Sequence, residues 1–345
     1  MKSLVTVALL TLVAYPATAQ TKKSDFAARA MIVAKGESPQ AVWITAASKT
    51  GIRYKETEVA TKTKDARIRD FETIFFFEPT EFSEAEDLFQ DRKYEEAKAK
   101  FAGIKAFYQP VSGLRDNHST RAAFYEMECM RKLNDLDGLS AALKNFDKSA
   151  LTREYQLRQL ELYVIWDAAR SEAWDQVLSL VEERKAVRLP GFQRVQLAYL
   201  QGMALEAKKE TEAALTAYAA AMSLDVGASE VIARDSALRS LAMLAADEGV
   251  KQAIAEADSG KENKNSRGYA KLLEAASIAT LYELSLGQGV PLPADYKVFL
   301  KFQPKAAVGS PEATKEEPEA AKPAAKEEVK KAPKKTPKKK AAKKK

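Results

Sequence analysis

The sequence predicts a mainly α-helical protein that begins with a small antiparallel β domain and ends in a lysine-rich tail. Apolar residues alternate at period two between residues 29 and 77, which is typical of half-buried strands. After Pro79 the apolar residues follow the period of helices for more than 200 residues. From Gln303 onward the chain contains no aromatic residue, so it cannot bury enough apolar surface to fold, and we expect disorder from 303 to 345.

Residues 1–19 have the features of a secretory signal peptide. Lys2 precedes an apolar run from Leu4 to Tyr15, and Ala17-Thr18-Ala19 forms a small-residue cleavage site. The run is shorter than the roughly 20 apolar residues that a membrane-spanning helix needs. We therefore expect cleavage after Ala19 and an exported protein, periplasmic or extracellular.

Residues 20–78 are predicted to form the β domain. Turn signals at Gly36-Glu37-Ser38-Pro39 and Lys49-Thr50-Gly51 separate four or five short strands. Because closure removes exposed sheet edges, we expect a small barrel. In strand number and turn spacing the segment resembles SH3-like and Sm-like barrels. We expect the run Phe75-Phe76-Phe77 to be a strand that is buried on both faces and packs on the first repeat helix, and the alternative is an exposed docking patch.

Residues 79–302 are predicted to form pairs of helices. Small or apolar residues in the second helix of each pair recur at Ala97, Leu139, Val177 and Ala214. Two copies carry the fullest pattern, and their packing residues are Ala85, Tyr94, Ala97 and Phe101 in the first, and Gly202, Ala214, Tyr218 and Ala221 in the other. This pattern is similar to the tetratricopeptide repeat, in which small eighth and twentieth residues let two helices approach closely. The spacings of the recurring residues exceed that family's 34-residue period, so longer helices or turns are expected.

The resemblance implies an α-solenoid of about four to five helix pairs. The fifth pair is expected from Glu230 to Ala257, and a capping helix from Tyr269 to Leu286. Stacked pairs of this kind form a concave groove that binds peptides or partner helices. The family register places large apolar and cationic side chains in this groove, where each either contacts a ligand or packs on the neighbouring repeat. These candidate contacts are Phe124, Arg131, Lys132, Trp166, Arg170, Tyr199 and Met203.

The tail holds the basic character of the chain. It contains 14 lysines and 6 glutamates, whereas the whole chain has a net charge of +7. Such a segment is either a solvated extension or an ionic tether to an anionic polymer or membrane surface. Export makes nucleic acid an unlikely partner. The candidate tether residues are Lys334, Lys335, Lys338, Lys339, Lys340, Lys343, Lys344 and Lys345.

The sequence contains few of the residues that a recognisable active site needs. It contains one histidine, His118, and one cysteine, Cys129, which cannot assemble a recognisable catalytic triad or transition-metal site. We expect His118 to have a capping or turn role and Cys129 to be a small buried hydrophobe. No cofactor, metal or small-molecule substrate is expected. The leading hypothesis is an exported scaffold or adaptor in cell-envelope organisation or assembly, and the alternative is a protein that binds polyanions or membrane surfaces through its tail.

Overall fold

The computed structural model describes residues 26–225 and 230–303. This part of the chain is mainly helical and carries a small antiparallel sheet at its N-terminal end. No helix within it is long and apolar enough to span a membrane. The predicted signal peptide and all but the first residue of the predicted tail lie outside the described residues.

The sheet contains five strands in the order β4-β3-β2-β1-β5, and every neighbouring pair is antiparallel. The strands are β1 Ala28–Ala34, β2 Gln40–Ala47, β3 Gly51–Lys55, β4 Lys64–Arg67 and β5 Phe71–Phe76. The edge strands β4 and β5 are not paired with each other, so the sheet is open. The prediction of a closed barrel is therefore not met, although the number of strands agrees with the expectation.

One face of the sheet forms a small core, to which β5 contributes Phe71, Ile74 and Phe76. Phe76 is buried with residues such as Ile44, whereas Phe75 is 56% exposed. The prediction that this strand is buried on both faces is wrong. The physical reason is that no layer of residues 26–225 and 230–303 covers the second face of β5 at Phe75, and successive side chains of a strand point to opposite faces.

Eleven α-helices follow within the described residues, and each packs against its neighbours along the chain. The first four pairs are α1 Thr80–Gln90 with α2 Tyr94–Phe107, α3 His118–Lys132 with α4 Leu136–Lys144, α5 Glu154–Arg170 with α6 Trp174–Lys185, and α7 Gly191–Ala207 with α8 Thr211–Ser223. The fifth pair is α9 Glu230–Ala246 with α10 Glu248–Asp258, as expected.

The same backbone turn ends the first helix of pairs one to four. Its central residue has positive φ and is Arg92, Asn134, Glu172 or Lys209. The next amide donates to the carbonyl five residues earlier, for example Glu210 to Leu205 at 2.9 Å and Asp135 to Met130 at 2.8 Å. This is the Schellman motif, which satisfies carbonyls that a helix end would otherwise leave unpaired. In the fifth pair Asp247 caps α10 directly, and its side chain accepts from the Val250 amide.

The predicted capping helix is present but changes character before its end. Helix α11 covers Arg267–Leu281 and continues as one π-helical turn over Tyr282–Leu286. A 3-10 segment, Ala294–Phe302, then packs back on α11. The apolar pattern of the sequence does not predict this last segment, whose Phe299 is fully buried.

The residues predicted to pack within the repeats are buried, and so is Cys129, whose thiol pKa burial raises to about 12. Two helices of one pair approach closely at Gly202 in α7. A Cβ atom there would lie 2.5 Å from the ring of Tyr218 in α8. Glycine is therefore required at this contact.

The sheet meets the helices around His118, the first residue of α3. Its Nε2 lies 3.0 Å from the Phe77 carbonyl, and its ring packs against those of Phe76, Phe82 and Tyr108. The helix cap itself is the preceding Asn117, whose side chain accepts from the Thr120 amide. His118 therefore joins the two parts of the molecule instead of capping the helix.

Candidate functional site

Two adjoining cavities lie between the first helices of successive pairs. We call the first the aromatic cavity, because six aromatic side chains line it; its volume is about 330 Å³. We call the second the arginine cavity, because three arginines line it; its volume is about 270 Å³. Arg131 and Lys132 belong to both. The two cavities thus adjoin each other, and we call them together the interior groove.

Helix α3 supplies the charged side chains between the cavities. Glu128 and Arg131 are one helical turn apart, so they share a face and form two hydrogen bonds of 3.2 and 2.8 Å. The hydroxyl of Tyr163 in α5 also donates to Glu128. Burial alone would raise the pKa of Glu128, but the Arg131 guanidinium and these hydrogen bonds hold it below its usual value. The carboxylate therefore stays charged and keeps Arg131 in place.

Glu230, the first residue of α9, closes the groove against the first helix pair. Its carboxylate accepts from the Tyr94 hydroxyl at 2.8 Å and lies 3.6 Å from Lys132 Nζ and 3.7 Å from Arg92 Nε. Arg92 also donates to Gln288, which follows α11, at 2.6 Å. Residues from the two ends of the helical region are thus in contact.

These contacts affect the pKa values of Glu230 and Lys132. Burial would raise the pKa of Glu230, yet Lys132 and the Tyr94 hydroxyl hold it below its usual value. Burial, together with the neighbouring Arg131, lowers the pKa of Lys132. The charges of Glu230, Lys132 and Arg92 therefore offset one another where the groove ends.

A row of buried amides fixes the wall between α5 and α7. Gln196 accepts from both Gln159 and the Trp166 indole nitrogen, each at 2.9 Å. Gln196 also donates to Gln159 at 3.1 Å. These hydrogen bonds hold Trp166 in a single orientation, with its ring 5.7 Å from that of Tyr199.

The arginine cavity contains one cation that lacks a counter-charge. Arg239 pairs with Asp235 at 2.7 Å and with Glu206 at 3.0 Å, and the Tyr199 hydroxyl donates to Asp235 at 2.5 Å. Arg234 lines the same cavity, and it has no hydrogen-bond or ion-pair partner among residues 26–225 and 230–303. Arg234 is partly exposed, so water can hydrate its guanidinium, and an anionic group in the cavity could replace that water.

Six of the seven side chains predicted for the groove line one or both cavities. They are Phe124, Arg131, Lys132, Trp166, Tyr199 and Met203. Arg170 is the exception, because it pairs with Asp167 at 2.9 Å and with the exposed Asp137 at 3.1 Å, outside both cavities. The structure therefore brings together most of the predicted contacts around two of the helices, α3 and α7.

Other lining residues escaped the sequence analysis. Tyr155 and Phe192 stand in the first turns of α5 and α7, ahead of the positions that the repeat register assigns. The signal that could have found them is the long repeat spacing, because longer first helices bring extra N-terminal residues to the groove. Glu230 and Arg234 were missed because α9 belongs to the weakest copy of the pattern.

The predicted tether lysines, Lys334 to Lys345, lie outside the described residues. Within residues 26–225 and 230–303, no group of three or more metal-binding side chains is placed to hold an ion. Comparisons with protein-family models, with curated proteins and with solved structures found no match.

Proposed function

We propose that this chain is an exported, non-enzymatic scaffold or adaptor that binds a segment of a protein or peptide in its interior groove. The observation that carries the proposal is the pair of adjoining cavities lined by aromatic side chains and by arginine. Aromatic and arginine side chains are the usual anchors of protein interfaces. The signal-peptide features of residues 1–19 support export, and we extend the proposal to a role in cell-envelope organisation or assembly.

The turn geometry supports a tetratricopeptide-like solenoid. The four positive-φ residues are spaced 42, 38 and 37 apart, from Arg92 through Asn134 and Glu172 to Lys209. The recurring residues Ala97, Leu139, Val177 and Ala214 have the same spacings, each five positions later. A repeating turn in a fixed relation to a repeating packing residue is the property expected of a solenoid.

The sheet supports a relationship to SH3-like domains, in spite of its open edges. A 3-10 turn, Ile68–Asp70, leads from β4 to β5, and its first amide donates to the Thr50 carbonyl at 3.0 Å. This turn carries the chain from one edge strand to the other. We propose no binding role for the sheet beyond its contact with α3.

Crosslinking from inside the groove tests the proposal. A photoreactive amino acid at Met203, in the arginine cavity, is expected to capture a partner from the cell-envelope fraction. The same residue at Leu284, which is 80% exposed and lines neither cavity, is the matched control. An identical set of products from the two positions, or none from Met203, would contradict binding in the groove.

The lysine-rich tail supports a second candidate, an ionic tether. Its last sixteen residues contain ten lysines and no acidic residue. A chain that ends at Phe302 separates the two candidates. Capture at Met203 that survives the truncation favours the groove, whereas binding to anionic vesicles that disappears with the truncation and weakens with salt favours the tether.

A further inference from the structure

The aromatic cavity has rings on most of its sides. They come from five helices and are Phe89, Tyr94, Phe124, Tyr125, Tyr155 and Phe192. Several already meet edge to face: the ring centroids of Phe89 and Tyr94 are 5.4 Å apart, and those of Phe124 and Tyr155 are 6.4 Å apart. Rings that hold one another in place lose little conformational freedom when a ligand enters.

The charges in the wall of this cavity are satisfied by one another. Arg131 pairs with Glu128, and Lys132 and Arg92 surround Glu230. A charged ligand group would have to compete with these ion pairs and lose its own hydration. The wall therefore favours an uncharged group. The arginine cavity differs, because its Arg234 has no ion-pair partner among residues 26–225 and 230–303.

The volume limits the size of that group. About 330 Å³ is at the small end of the range for ligand cavities, roughly 300–1,000 Å³. One ring system fits, whereas an extended ligand does not. The Gln90 amide also lines the cavity, so an indole N–H or a phenol O–H could find a hydrogen-bond partner there.

We infer that the aromatic cavity is an anchor site for one uncharged aromatic side chain, that of tryptophan, phenylalanine or tyrosine, from the bound peptide. This inference rests on the proposed function and adds the class of side chain that the groove selects. A ring in the cavity makes edge-to-face contacts with the surrounding rings, which an aliphatic side chain cannot make. Such contacts correspond to about two- to tenfold in affinity.

Blocked amino acids test the assignment on the full-length chain. N-acetyltryptophanamide and N-acetylphenylalaninamide are titrated by saturation-transfer NMR, with N-acetylleucinamide and the N-acetyl amides of glutamate and lysine as competitors. Because so few atoms make contact, dissociation constants on the order of 1 mM are expected for the aromatic amides. The leucine amide should bind about two- to tenfold more weakly, and the charged amides should not compete.

Two variants locate the binding. Tyr155 is 38% exposed and Phe192 is partly exposed, so Tyr155→Ala and Phe192→Ala should fold, which a thermal melt checks. Each variant should bind the aromatic amides with about tenfold lower affinity. Phe75→Ala, which removes an exposed ring of the sheet, is the matched control and should leave their affinity unchanged.

The outcomes separate this inference from the proposed function. Equal affinity for the leucine amide, unchanged affinity in both cavity variants, or no saturable binding would overturn the aromatic anchor. If Met203 still captures a partner in that case, the groove binds its ligand by other contacts. If Met203 also captures nothing, the proposed function fails together with the anchor.

Discussion

The contact that joins α3 to α5 and the contact that joins α7 to α8 are built from opposite kinds of residue. In the first, a buried carboxylate, Glu128, holds Arg131 and accepts from Tyr163. In the second, Gly202 lets the ring of Tyr218 lie against the helix backbone. Neighbouring helices are thus joined by a hydrogen bond to a buried, charged group at one place and by close packing at another.

The difference shows how the array forms a groove. Charged side chains between α3 and α5 keep a polar wall beside the two cavities, whereas close packing between α7 and α8 leaves no space there. The close packing joins the two helices of one pair, whereas the polar side chains lie between successive pairs, where the cavities are.

The largest loss of stability is expected from Glu128→Ala. This change leaves the buried Arg131 guanidinium without its carboxylate, which costs about 3–5 kcal/mol. Urea unfolding at neutral pH measures the loss. The double variant Glu128→Leu with Arg131→Met replaces both charges by apolar groups and should recover most of the stability. A double variant no more stable than Glu128→Ala would refute the ionic account of this contact.

Gly202→Ala tests the close-packed contact. The added methyl group would lie 2.5 Å from the ring of Tyr218, which is fully buried and donates to Glu206 at 2.6 Å. Overpacking of this kind costs about 1–3 kcal/mol. The control is Gly103→Ala in α2, where a Cβ atom would meet nothing within 4 Å. That change should stabilise the protein by about 0.5–1 kcal/mol, because alanine favours the helix. Melting temperatures that shift in the same direction in both variants would contradict the packing described.

The backbone turns that follow α3 and α7 should have a smaller effect on stability. Lys209, after α7, has φ of 63°, a conformation that is unfavourable for most residues with a side chain. Lys209→Gly should therefore raise the free energy of unfolding by up to about 1 kcal/mol. Asn134→Gly, in the corresponding turn after α3, should gain less, because asparagine tolerates this conformation.

The neighbouring Lys208 is the control for this turn. Its φ of −82° is ordinary, so Lys208→Gly should destabilise the helix end instead. Chemical denaturation of the three variants under one set of conditions gives the comparison. A gain from Lys208→Gly equal to that from Lys209→Gly would show that the left-handed turn is not the cause.

The smallest effect is expected at His118, where α3 begins. Burial lowers the pKa of His118 below its usual value of about 6.5. The unfolded chain then takes up the proton more readily than the folded one. The stability from this group is fully present above about pH 6.5 and is lost as the pH falls through the folded-state pKa. The effect should be modest, because the hydrogen bond to the Phe77 carbonyl opposes the shift.

Urea unfolding of the protein and of His118→Gln between about pH 5 and pH 7.5 measures this contribution. The glutamine variant should lose less stability on acidification. All other titrating groups are common to both proteins, so the difference between the two profiles belongs to His118. Parallel profiles would contradict its role as a neutral, buried link between sheet and helices.

The sequence by itself determined the periodic parts of this protein. Strand alternation located the β domain, and the positions of Ala97, Leu139, Val177 and Ala214 predicted the order and phase of the first four helix pairs. These features depend on contacts between residues that are near in sequence, so a local pattern is enough. Six of the seven side chains predicted for the groove also line the two cavities.

Tertiary structure decided the rest. Whether the sheet closes depends on the pairing of strands that are distant in the chain. Alternation at period two does not by itself distinguish an edge strand such as β5 from a central one. The contacts of Glu230 with Tyr94 and of Gln288 with Arg92 join residues 136 and 196 positions apart. Such contacts leave no periodic signal in the sequence, since they form only when segments that are distant in the chain pack against one another.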